Sequence, residues 1–167
     1  MKKPILCFVT DRKALTATAG TDPAGALVEC IAQAARASVD WIQLREKDLD
    51  GRPLFDLARK AIAACAAASP PEGENPTRLL INDRLDVALA AGAAGVHLGE
   101  NSIPIGEVAG WRKRAARRDF LVGASCHSLE AAEQAAVAGA DYIFFGPVFA
   151  TPSKQAFGPP QGLQKLG

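Results

Sequence analysis

Two stretches decide the fold, Ala91-Gly92-Ala93-Ala94-Gly95-Val96 and Ala138-Gly139-Ala140-Asp141-Tyr142-Ile143. In each, an alanine-rich segment ends at a glycine and a small residue, and a short apolar run begins. Glycine just past a helix takes the left-handed cap conformation, and the small residue after it permits a tight turn into a sheet. Ala37-Ser38-Val39-Asp40-Trp41-Ile42 has the same shape without the glycine. The two clearest copies lie 47 positions apart, about the length of two strand-helix units.

Working outward, apolar runs rich in β-branched and aromatic residues predict strands at 5–9, 39–44, 79–81, 95–98, 120–123 and 142–145. Their character is continuous rather than alternating, which suits parallel strands covered on both faces. Asp22 as N-cap and Pro23 at the first helical position announce a helix whose stripe is Leu27, Ile31 and Ala34 or Ala35. Further helices are predicted at 53–68, 84–91, 105–117 and 129–138, with a loop over 69–76.

Strict strand-helix alternation means an α/β fold, either a doubly wound sheet or a (β/α)8 barrel, in a single domain over 1–167. No G-x-G-x-x-G follows the first strand, so the dinucleotide-binding form loses its main support. Six strands do not close an eight-stranded barrel, which normally needs about 200 residues or more. The sequence stops where a sixth helix would begin, near 162–166. The barrel reading therefore requires a (β/α)8 TIM barrel truncated after strand 6, a partly represented form of a longer protein.

The 167 residues are 49% apolar, and 19 basic against 18 acidic side chains leave a net charge of +1. The longest apolar run, 61–68, is far below the roughly 18–20 residues of a membrane span. The stretch after Lys2 and Lys3 is too short for a secretory signal. A cytoplasmic protein with no membrane partner is expected. Cys7, Cys30, Cys65 and Cys126 form no C-x-x-C pair and read as buried reduced thiols. Without a basic excess, and with 6% aromatics, nucleic acid is not the expected partner, and a small polar substrate is.

In a parallel barrel the site lies at the C-terminal ends of the strands. The second strand ends in Gln43-Leu44-Arg45-Glu46-Lys47, where alternation puts Gln43, Arg45 and Lys47 on one side. Two cations so placed suit a phosphate or diphosphate, or else a solvated, salt-bridged strand end. After the third strand, Asp83 of Asn82-Asp83-Arg84 reads first as the N-cap of the next helix and second as a Mg²⁺ ligand. His97, alone in an apolar strand, reads as a hydrogen-bonded structural residue. The fifth strand leads into Ser125-Cys126-His127-Ser128, where Ser128 suits a helix cap. His127 is either a proton carrier or an ordinary core or surface histidine. Thr151, Ser153 and Lys154 follow the sixth strand on a loop suited to closing over phosphate oxygens.

The order of these motifs resembles the thiamine-phosphate synthase and TenI family. The likeness runs through Val9-Thr10-Asp11, 43–48, 81–89, 95–99, 123–130 and 139–154, nearly the whole chain. It implies a barrel, usually homo-oligomeric at full length, acting in thiamine biosynthesis on a thiazole phosphate. In the synthase, a pyrimidinylmethyl diphosphate ionises with Mg²⁺ assistance and the thiazole nitrogen captures the cation. By that resemblance Arg45, Lys47, Ser125 and Lys154 bind diphosphate, Gln43 and Asn82 surround the pyrimidine or its diphosphate, Asp83 holds Mg²⁺, and Thr151 and Ser153 are the two loop hydroxyls.

Two departures matter. Ser102 stands where the synthase pattern has a second Mg²⁺-binding aspartate, and a hydroxyl poorly replaces a carboxylate on a hard cation. Residues 125–130 resemble the Ser-Val-His-Ser-Leu-Glu of TenI-like members, whose thiazole tautomerase needs no metal and whose acid/base histidine corresponds to His127. Residues 43–47 and 82–84 resemble the synthase instead. The reading is therefore a tautomerase, with the Mg²⁺-dependent synthase as the alternative and a non-catalytic phosphate-binding or regulatory module as a third. The second departure is the absence of two final strands whose loops bind thiazole phosphate in the family. The 167-residue chain alone is expected to be inactive and aggregation-prone at its open sheet edges.

Overall fold

A computed structural model describes residues 3–15, 22–68, 76–150 and 159–165. The chain forms two compact units, Met1–Val96 and His97–Gly167. Strand β4 (Gly95–Leu98) contributes two residues to each.

In the first unit, β1 (Cys7–Val9), β2 (Trp41–Leu44) and β3 (Arg78–Asn82) lie in chain order, with β4 beginning beside β3. The β1–β2 and β2–β3 pairs are parallel, with Val9 opposite Gln43 and Gln43 opposite Leu80. Each connection carries a helix, as parallel neighbours require. Helix α1 (Pro23–Arg36) starts as predicted, with the Asp22 carboxylate accepting from the amides of Ala24 and Gly25, both at 3.1 Å. It buries Leu27, Ile31, Ala32 and Ala35. Helix α2 (Gly51–Ala67) begins two residues earlier than its proline suggests. The first four helical N–H groups lack intrahelical acceptors in any case, so Pro53 fits the first turn without losing a bond. Helix α3 (Leu85–Ala91) ends at Gly92, whose φ of 76° is the expected left-handed cap.

In the second unit the end of β4 is followed by β5 (Leu121–Cys126) and β6 (Tyr142–Phe145), again in chain order. Strands β5 and β6 are parallel, pairing Gly123 with Tyr142 and Ser125 with Phe144. Strand β5 runs three residues past its predicted end, because Ala124, Ser125 and Cys126 continue that pairing. Helix α4 (Ile105–Arg114) stops short of residue 117, where Ala116 takes a left-handed φ of 53°. Helix α5 (Leu129–Val137) is capped by Ser128, whose hydroxyl accepts from Ala131 N at 3.1 Å. Gly139, at φ 98°, repeats the Gly92 turn. The predicted sixth helix is one 3-10 turn, Leu163–Lys165, among the described residues.

The third copy of the repeat uses Ser38 at φ 58° where the others use glycine. A left-handed backbone costs a residue with a Cβ about 1–2 kcal/mol, partly offset by the greater unfolded-state freedom of glycine. Ser38→Gly is expected to stabilise the fold by about 0.5–1 kcal/mol, read as a higher urea midpoint; a lower midpoint would contradict it.

No disulfide links the four cysteines, and burial pushes the Cys65 thiol up to about 11. Cys65 and Cys126 are buried, whereas Cys7 and Cys30 are half-buried. Among the described residues no helix is long and apolar enough to cross a membrane.

Candidate functional site

The strand ends of the first unit gather one cluster. Register places Asn82 two residues beyond Gln43's partner and on the same face, and Gln43 Nε2 donates to Asn82 Oδ1 at 2.9 Å. Gln43 is 2% exposed, yet its Oε1 has no hydrogen-bond partner. A buried acceptor left unmade costs about 1–3 kcal/mol, and among the described residues no donor meets this oxygen.

The expected single face of Gln43, Arg45 and Lys47 holds only in part, because β2 ends at Leu44 and the backbone then turns. Gln43 is buried, Arg45 half-buried and Lys47 exposed. The inward position between the two cations belongs to Glu46, 4% exposed. Its Oε1 accepts from the Thr10 hydroxyl at 2.7 Å, its carboxylate from Arg12 N at 3.2 Å, and its Oε2 from Arg12 Nη1 at 3.0 Å. Thr10 Oγ1 in turn accepts from Arg45 N at 3.0 Å. Arg12 also forms a two-pronged pair with Asp48, at 2.6 and 2.8 Å, and Lys13 joins it at 2.9 Å. These bonds hold the Asp48 carboxyl far below the usual range. The salt-bridged strand end thus exists, but it is built by Arg12, Lys13, Glu46 and Asp48. Arg45 and Lys47 make no side-chain hydrogen bond or ion pair with described residues.

Asp83 is not the helix cap that its position suggests. Arg84 holds the N-cap position, and Asp83 lies one residue earlier with φ at 66°. The turn is drawn tight by Arg84 N to Asn82 O at 2.8 Å and Leu85 N to Asp83 O at 3.0 Å. The left-handed backbone at a residue with a Cβ is sterically costly, and such costs cluster at functional positions.

The second unit gathers another cluster. His97, 2% exposed, has Nε2 2.8 Å from Ser125 Oγ and Nδ1 3.1 Å from the Tyr142 hydroxyl. Its hydrogen-bonded structural reading holds. Ser102 Oγ accepts from Gly99 N at 2.7 Å, so the hydroxyl at the expected aspartate position closes the turn after β4. His127 Nδ1 lies 2.8 Å from Glu100 Oε1. Cys126 is raised by burial and then by Glu100, which keeps it a thiol rather than a nucleophile. Thr151, Ser153 and Lys154 lie outside the described residues.

Sequence reasoning missed the Thr10–Glu46–Arg12 network and the Glu100 partner of His127. It also passed over a cationic run that the near-zero net charge hides, five basic residues within 112–118. A cavity of about 380 Å³ is lined there by Arg112, Lys113, Arg118 and Asp141 between two alanines. Arg112 is bound to Asp141 and to the carbonyls of Phe120 and Gly139. Cations at the end of α4 also complement the helix dipole, which accounts for the run structurally.

Comparison with known proteins bears on these clusters. The family model for thiamine monophosphate synthase matches residues 6–167. A thiamine-phosphate synthase of Methanoculleus marisnigri is 45% identical over 133 residues, covering 80% of this chain and 58% of that protein. One from Roseiflexus castenholzii is 38% identical over 162 residues, covering 97% and 63%. The chain therefore spans about three fifths of the length of these curated relatives. The solved thiamine phosphate pyrophosphorylase from Pyrococcus furiosus superposes with a TM-score of 0.72 at 29% identity, covering 97% of this chain and 67% of that one. With the strand-helix alternation, that likeness makes the fold α/β of TIM-barrel type. The chain belongs to the thiamine monophosphate synthase family.

Proposed function

We propose that the protein joins a pyrimidinylmethyl diphosphate to a thiazole phosphate with Mg²⁺, releasing diphosphate. The observation that carries this reading is the buried Oε1 of Gln43, without a hydrogen-bond partner among the described residues, on a side chain held by Asn82 at the end of the strand that leads into Arg45 and Lys47. An aminopyrimidine carries the N–H that this oxygen lacks, and its diphosphate carries the anion that Arg45 and Lys47 suit. The relatives' names favour the same branch over the tautomerase suggested by residues 102 and 125–130.

In the reaction the C–O bond to diphosphate breaks with its electron pair leaving on oxygen, and the thiazole nitrogen forms the new C–N bond. Gln43 and Asn82 would orient the pyrimidine ring. Arg45 and Lys47 would stabilise the charge growing on the departing diphosphate, with Ser125, Thr151, Ser153 and Lys154 assigned to the same task by family resemblance alone. Asp83 would hold Mg²⁺, which supplies charge neutralisation for the leaving group. The chemistry of the donor fits that ion, since Mg²⁺ is usually held by one or two carboxylates plus substrate phosphates and water, and Asp83 supplies one carboxylate just after the end of β3.

The test supplies both substrates and Mg²⁺ to protein expressed from its complete reading frame and follows thiamine phosphate as fluorescent thiochrome. Mg²⁺-dependent product is expected, with kcat/KM reduced about 100-fold or more in Asp83→Asn. Folded protein that forms no product would overturn the reading. One observation favours the tautomerase as a second reading, the 2.8 Å pairing of His127 with Glu100, which fixes an imidazole as an acid/base would need. In that case aromatisation of the thiazole carboxylate phosphate tautomer is lost in His127→Ala.

A further inference from the structure

We propose that Tyr142 and His97 set the direction of the Ser125 hydroxyl, making it a donor to a bound anion. This rests on the reading of Ser125 as a diphosphate contact.

A serine hydroxyl has one proton and two lone pairs, and a neutral imidazole has one N–H and one acceptor nitrogen. The chain from Tyr142 through His97 to Ser125, with spacings of 3.1 and 2.8 Å, therefore has two self-consistent directions. In one, Ser125 donates to Nε2, Nδ1–H donates to the tyrosine oxygen, and Ser125 turns only lone pairs outward. Lone pairs repel an anion. In the other, the phenol donates to Nδ1, Nε2–H donates to Ser125 Oγ, and the serine proton is left for a phosphate oxygen. The phenol, with an ordinary pKa of about 10, is a far stronger acid than an aliphatic alcohol and the better donor to an imidazole nitrogen. The second direction is thus favoured internally, and it is also the one an anion requires.

The surroundings support this arrangement. His97 is 2% exposed and packs against the rings of Tyr142 and Phe144, at centroid distances of 5.5 and 4.6 Å, so it keeps one orientation. Gly123 and Ser125 lie on one face of β5, opposite Tyr142 and Phe144 of β6. A Cβ at Gly123 would overlap the Tyr142 ring, so the missing side chain is what allows that ring to lie over β5 within reach of His97. Tyr142 and His97 are positioning residues, acting on the ligand through Ser125.

The experiment measures binding of inorganic pyrophosphate with Mg²⁺ by calorimetry, on protein from the complete reading frame, for wild type, Ser125→Ala, Tyr142→Phe and the double variant. Nitrogen-15 NMR reads which His97 nitrogen carries the proton. Expected are a proton on Nε2 in wild type, its shift toward Nδ1 in Tyr142→Phe, and about tenfold weaker binding in each single variant. The double variant is expected to bind no more weakly than Ser125→Ala. If Ser125→Ala weakens binding and Tyr142→Phe does not, the relay is wrong and the anion contact stands. If Ser125→Ala leaves binding unchanged, the contact itself fails and the relay with it. A wild-type His97 protonated only on Nδ1 overturns the relay independently of affinity, and a Tyr142→Phe protein that weakens binding without shifting the proton does the same.

Discussion

Glu46→Ala is expected to destabilise the fold by about 3–5 kcal/mol, which in urea denaturation removes most of the stability of an ordinary domain. Glu46 is 4% exposed and accepts from the Thr10 hydroxyl, from Arg12 N and from the Arg12 guanidinium. Alanine removes every acceptor of Glu46 at once, strands the buried Thr10 hydroxyl and the Arg12 amide, and leaves the guanidinium, 17% exposed, with Asp48 as its remaining described carboxylate. Breaking a buried pair from one side costs far more than the pair contributes, because the remaining partner keeps its desolvation penalty. The damage also reaches Arg45, whose amide depends on the Thr10 oxygen, so pyrophosphate affinity is expected to fall with stability. Glu46→Gln, which keeps the shape and an acceptor, is the milder comparison. Asp48→Ala is the control, since Asp48 is exposed, binds the same arginine and is screened by solvent. A Glu46→Ala midpoint no lower than that of Asp48→Ala would sink the argument.

The same residue marks where the sequence ceases to be legible. Period and turn chemistry placed all six strands and five helices, because strand and helix cores are set by local pattern. The glycine turns at Gly92 and Gly139 and the Asp22 cap came out as read, since each rests on one residue's own backbone preference. Gln43 and Asn82 were each legible as a strand-end polar residue, but their hydrogen bond and the orphaned oxygen were not, because both depend on the β2–β3 register. Alternation failed after Leu44, where the strand ends and Glu46 turns inward toward Thr10 and Arg12, more than 30 residues earlier in the chain. Asp83 failed for the opposite reason. A residue that is a good cap in isolation stands one position too early, because Arg84 takes the N-cap position and Asp83 adopts a left-handed backbone. The cationic run at 112–118 was hidden by averaging charge over the whole chain.

Gly123→Ala carries the second large effect, and it is a steric one. Gly123 is buried, its φ is not in the left-handed region, and the substitution would be mild in an ordinary strand. Here the added Cβ would lie far inside contact distance of Cζ, Cε1 and the hydroxyl oxygen of Tyr142, the residue directly opposite in the β5–β6 register. The ring has to leave, since the strand backbone beneath it is held by its pairing. Overpacking of this kind costs about 1–3 kcal/mol, and separating the Tyr142 hydroxyl from His97 adds about 0.5–1.5 kcal/mol. A total near 3 kcal/mol is expected, measured by urea denaturation, together with weaker pyrophosphate binding through the loss of His97 orientation. The mechanism is separated from general damage by a double-mutant cycle with Tyr142→Ala. If the clash is with that ring, Gly123→Ala costs little once the ring is gone, and the double variant is more stable than the sum of the single effects by about 1–3 kcal/mol. Additive effects would mean that the alanine disturbs something other than Tyr142, and the glycine would then have no part in placing the ring over His97.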